Sequence, residues 1–110
     1  MPLYLYQLSY TPESLAAQMK DPEDRLKTAA KPVLKAVGGK LIGGGFSFGD
    51  YDVCILFEAP DDESVAAVAV AVGSGGAVRS QKTTKLLSGD QWVAALKKAS
   101  KVAKGYKPKS

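Results

Sequence analysis

The sequence predicts one α+β domain of ferredoxin-like βαββαβ order, an antiparallel sheet with helices on one face, followed by a C-terminal helix. Three observations carry this. Leu3 to Tyr10 and Tyr51 to Glu58 are apolar on both alternating faces, which suits the middle of a sheet. Lys40 to Phe48 and Ala77 to Leu87 instead carry glycines, lysines and threonines, which suit its edges. Capped helical patterns separate these segments in the order the topology requires. With 110 residues the chain has the size of one folding unit.

Leu3 to Tyr10 sets Leu3, Leu5, Gln7 and Ser9 against Tyr4, Tyr6, Leu8 and Tyr10, and its aromatic content favours a strand. Thr11-Pro12-Glu13 places an N-cap before a proline and an acid, opening a short helix. Asp21-Pro22-Glu23-Asp24 repeats that signal before a longer one, in which Leu26, Ala29, Ala30, Val33, Leu34 and Val37 recur at helical spacing. Pro32 sits inside that pattern and predicts a bend, and Gly38-Gly39 ends it. Gly43-Gly44-Gly45 predicts a bulge or a close backbone approach in the second strand, and Gly49-Asp50 turns the chain into the third, making a hairpin.

Asp61-Asp62-Glu63 puts carboxylates at the positive end of a helix running through Val65 to Val72, with Gly73-Ser74-Gly75-Gly76 as its stop. After the last strand, Ser88-Gly89-Asp90-Gln91 has the pattern of a capping box, and Trp92, Ala95, Leu96, Ala99, Val102 and Ala103 share one helical face. The domain is expected to span residues 1–97, with 98–110 forming a lysine-rich helix end and tail.

The net charge is +4, yet six lysines and no acids lie from Lys97 onward, leaving nine basic against eleven acidic side chains before them. The basicity therefore belongs to the tail, and nucleic acid is not an expected partner, because phosphate binding needs a clustered basic face. The longest apolar run, Val65 to Val72, falls far short of the roughly 20 residues that cross a bilayer, so no membrane partner is expected. The opening residues lack a basic segment before their apolar ones, and one cysteine excludes an internal disulfide. A cytoplasmic location is the expectation.

Histidine is absent, which excludes Ser-His-Asp and Cys-His catalysis and the commonest metal-ligand sets. No cofactor and no metal are expected. Cys54, within an apolar strand, reads as a packing residue. The glycine clusters match no phosphate-binding loop, since one lies between two strands and the other follows a helix. Asp50 and Asp52 suit a turn and a structural hydrogen bond better than a paired acid and base, because successive strand residues point to opposite faces. Tyr4, Tyr6 and Tyr10 share a face that would either line a pocket with phenolic donors or pack aromatically in a dimer interface. Arg79 and Lys82 would receive an anionic ligand or guard an edge strand.

The residues Gly38-Gly39-Lys40-Leu41, Gly49-x-Tyr51-Asp52, Glu58-Ala59-Pro60-Asp61-Asp62-Glu63 and Gly73 through Arg79 resemble the GYD-domain family, small bacterial proteins of the dimeric α/β barrel superfamily. The resemblance spans roughly positions 1 to 97. It implies the fold and a pairing of subunits, and it transfers no catalytic residues, because the family carries no established activity. Gly49, Tyr51 and Asp52 carry over as signature positions alone.

The candidate ligand-binding residues are Tyr4, Tyr6, Tyr51, Asp52 and Arg79. The leading expectation is a homodimer or larger homo-oligomer whose paired sheets enclose a small molecule. A cofactor-independent oxygenase or isomerase using Tyr4, Tyr6 or Asp52 is the alternative, and weak binding of nucleic acid or an anionic membrane through the C-terminal lysines is a third.

Overall fold

The computed structural model describes residues 1–109. In chain order the elements are β1 (Leu3–Tyr10), α1 (Pro12–Lys20), a π-helical segment (Leu26–Ala30) running straight into α2 (Lys31–Ala36), β2 (Lys40–Phe46), β3 (Val53–Glu58), α3 (Asp62–Ser74), β4 (Val78–Leu86) and α4 (Gly89–Gly105). The four strands make one antiparallel sheet in the order β2-β3-β1-β4, so the two strands apolar on both faces are central and the glycine- and lysine-bearing strands are edges.

Pro32 bends its helix in an identifiable way. It has no N–H to offer the carbonyl one turn back, and the backbone before it widens, so that the Lys31 N–H donates to the Leu26 carbonyl in the five-residue spacing of a π turn. In β2 the register slips between Leu41 and Gly43, and Gly44 has a φ of 128°, a value that L side chains rarely adopt.

The core lies between one sheet face and the helices. Tyr4, Tyr6 and Leu8 of β1 and Val53, Ile55 and Phe57 of β3 are buried with Leu34 of α2 and Val65 of α3. Tyr4 stands opposite Phe57 in the ladder, and their rings stack with centroids 5.5 Å apart. The other sheet face carries Leu3, Leu5, Leu56 and Leu86 around Gln7 and Cys54, all only half-buried.

A capping box starts α4, in which the Ser88 hydroxyl accepts from the Gln91 N–H and the Gln91 side chain accepts from the Ser88 N–H. This helix does not fold back onto the sheet. None of its residues is buried, and the chain extends over 59 Å with a radius of gyration of 17.6 Å; a chain of this length packed as a ball has about 13 Å.

Candidate functional site

The two helical segments on the core face stand apart, and between them the sheet is open in an apolar cleft of about 370 Å³. Its floor is Tyr6, Leu8, Ile55 and Phe57; its walls are Leu26, Ala29, Ala30 and Val33 on one side and Val68, Ala71 and Val72 on the other. Tyr10 and Arg25, the two half-buried polar side chains of its lining besides the buried Tyr6, bring the donors. The volume is in the range of small-molecule pockets.

The tyrosines of β1 thus face the chain's own helices and not a second sheet, which corrects the expectation of aromatic packing in a dimer interface, while Tyr6 and Tyr10 do line a pocket. The reason is register: with Tyr4 opposite Phe57 and Tyr6 opposite Ile55, the aromatic face is the one that the Leu34 and Val65 side chains cover. Tyr6 contributes to the cleft floor, and its hydroxyl donates to Gln81 Oε1 on β4, whose Nε2 donates to the Ala69 carbonyl of α3 at 2.9 Å. Burial pushes the Tyr6 phenol up to about 12, and burial also raises that of Tyr10.

Tyr4 stands in a second, shallower pocket with Asp62, Ala66 and Lys85. Its hydroxyl donates to Asp62 Oδ1 at 2.6 Å, and Lys85 Nζ lies 3.0 Å from the same carboxylate. That bond, followed by burial and the Asp62 charge, pushes Tyr4 up to about 12, and the same bond, with Lys85 second, holds Asp62 below the usual carboxylate range.

The Gly49-Asp50-Tyr51-Asp52 segment is a latch. The Asp52 N–H donates to the Leu8 carbonyl at 2.8 Å, and Asp52 Oδ2 accepts from the Tyr10 N–H at 2.9 Å. Ser9 Oγ donates to the Asp50 carbonyl at 2.6 Å, while Ser47 donates its N–H to the Asp52 carbonyl at 2.8 Å and its hydroxyl to the Tyr51 carbonyl. These bonds fix the end of β1, including Tyr10 at the cleft mouth, and they end β2 at Phe46 and start β3 at Val53, each two residues inside the sequence-based boundary. Arg79 is exposed on β4 and lines neither pocket. The structure therefore brings Tyr51 and Asp52 together in the latch, Tyr6 to the cleft and Tyr4 to the second pocket, and it leaves Arg79 apart.

Sequence reasoning missed Arg25 and the α2 wall. Arg25 directly precedes Leu26, the first residue of the apolar stripe, and that adjacency was the one signal for it. Among the described residues no group of three or more His, Cys, Asp or Glu side chains is placed to hold a metal ion, and no helix is long and apolar enough to cross a membrane.

The sequence model of the GYD domain matches residues 4–96. The chain belongs to the GYD-domain family. Gly49, Tyr51 and Asp52 lie in the latch segment and not on the cleft lining. No curated protein matches the chain. Among solved structures, a NIPSNAP domain protein from Burkholderia xenovorans is similar at 12% identity, with 80% of this chain and 94% of that one covered and a TM-score of 0.47. Protein Atu4242 from Agrobacterium tumefaciens is similar at 11% identity, over 79% and 92% of the two chains, with a TM-score of 0.48. A NIPSNAP-like domain protein from Burkholderia xenovorans is similar at 14% identity, over 79% and 84%, with a TM-score of 0.48.

Proposed function

We propose that this GYD domain is a cytoplasmic small-molecule-binding protein whose helix-side cleft holds an apolar ligand with a polar group at Tyr10 and Arg25. The observation that carries it is the cleft itself, about 370 Å³ of apolar wall with convergent donors at one end. Binding is favoured over catalysis because the cleft's titratable lining is Tyr6, Tyr10 and Arg25. Both phenols are pushed upward, away from neutral pH, and a guanidinium supplies donors only, so the lining offers no base poised to take a proton.

The test is a fluorescence titration with a neutral naphthylamine dye. Ala71 is exposed on the cleft wall, so Ala71→Trp fills the space without disturbing the core. The dye is expected to bind the natural chain, Ala71→Trp to weaken it by about tenfold or more, and Arg79→Ala to leave it unchanged. Equal affinity for the natural chain and Ala71→Trp rejects the cleft as the site.

The same proposal includes self-association through the outer sheet face, where Leu3, Leu5, Leu56 and Leu86 lie side by side without a helix over them. Its expected result is a sedimenting mass of at least twice the chain's 11.6 kDa at micromolar concentration. A monomer there rejects it.

A further inference from the structure

A second apolar surface lies on the opposite side of the molecule, and it concerns two helices. From Ser64 to Ser74 α3 carries no charge, yet only part of it faces the sheet and the cleft: Ala67 and Ser74 are exposed and Val70 is 72% exposed. A helix that is apolar all round belongs under cover. The terminal helix α4 has the complementary form, with Trp92, Leu96, Ala99 and Ala103 along one face, Lys97 and Lys101 on the other and Lys104 at the flank between them. Trp92 and Leu96 are 57% and 52% exposed, on a helix that projects from the body that made it.

We infer that α4 of a second copy docks antiparallel along the outer face of α3. Three features select this occupant and this direction. α4, with 17 residues, is longer than the 13-residue α3 and can cover it from end to end. The charges match antiparallel: Lys104, at the flank of the apolar face, with Lys107 beyond it, reaches the Asp61-Asp62-Glu63 end of α3, while Trp92 meets the Gly73 to Gly76 end, where glycines without side chains leave the indole room.

The third feature excludes the chain's own helix. Lys85, three residues before the Ser88 cap of α4, lies 3.0 Å from Asp62, so a chain's own α4 starts beside the acidic end of its own α3. Folded back, it would run parallel, setting Asp90 against those acids and its lysines at the far end. A helix arriving from another copy has no such constraint.

Both faces are exposed, so substitutions there leave the core intact. Leu96→Asp and Val70→Asp are each expected to halve the sedimenting mass of the full chain with an unchanged circular dichroism spectrum. That halving is separate from pairing through the sheet face, which neither substitution touches. Unchanged mass in both variants overturns the inference. Direction is read in a Cys54→Ser background by mixing full-length Ser74→Cys with Ala95→Cys or with Ala103→Cys under mild oxidation. The antiparallel contact predicts an intermolecular disulfide with Ala95→Cys alone. Cross-linking with Ala103→Cys alone overturns it, as does a natural chain whose α4 protects only on adding anionic vesicles and which sediments as a monomer.

Discussion

Gly44→Ala is expected to lower stability by about 3 kcal/mol or more, while Gly43→Ala and Gly45→Ala change it by less than about 1 kcal/mol. The three glycines are adjacent, and their surroundings differ completely. At Gly44 the φ of 128° is in the region that L side chains rarely adopt. A Cβ there would lie 2.7 Å from the Ile55 Cα and closer still to the Cys54 carbonyl oxygen, both of them backbone atoms of the paired strand. Neither can rotate away, so the β2–β3 ladder must open or shift. At Gly43 and Gly45 an added Cβ meets nothing within 4 Å. In thermal melts followed by circular dichroism, the difference corresponds to a fall of roughly 10–20 °C in Tm for Gly44→Ala alone. Three variants of equal Tm would show that the bulge does not depend on this backbone approach.

The bulge was readable in the sequence because three successive glycines weaken a strand, and a strand tolerates them where its backbone must kink or come close to a neighbour. So was the strand order, since Leu3 to Tyr10 and Tyr51 to Glu58 have no polar face to give to solvent. Pro32 announced a defect in its helix, although not that the backbone would absorb it as a π turn with Lys31 reaching back to Leu26.

Which face of β1 meets the helices was not readable. Leu3 and Leu5 are as apolar as Tyr4 and Tyr6, and period-two alternation is silent when both faces are greasy. The choice is made by long-range partners: Phe57 across the ladder, and Asp62, at the start of α3, which takes the Tyr4 hydroxyl. The cleft was hidden for a related reason. It arises from the separation of α2 and α3 over the sheet, a tertiary distance that no helical period encodes. The Gly49 to Asp52 stretch was legible as a turn, and the bonds that join Asp50, Tyr51 and Asp52 to Leu8, Ser9, Tyr10 and Ser47 show what the turn does here: it fixes the end of the central strand that carries part of the cleft's floor.

Tyr4→Phe isolates one hydrogen bond whose contribution has two pH limits. The bond from the phenol to the solvent-exposed Asp62 carboxylate is 2.6 Å long, and the variant, which lacks the donor, is expected to be the less stable chain near neutral pH. Tyr4 is raised from 10.0 to about 12 in the folded chain, so its contribution is complete below pH 10 and is lost as pH rises from there toward about 12. Asp62 is lowered from 3.8, so its contribution is present above that value and is lost as pH falls through the lower folded value. The stability gap between the natural chain and Tyr4→Phe should therefore be widest between about pH 5 and 9 and narrow at both extremes. Tyr6, pushed up to about 12 by burial, keeps an alkaline loss in both proteins, and Lys85 keeps part of the acid loss. The difference between the two chains removes these shared terms. Urea denaturation at about pH 3, 7 and 11 measures it, and a gap equal at all three would mean that the hydroxyl's contribution does not come from a bond to the charged carboxylate.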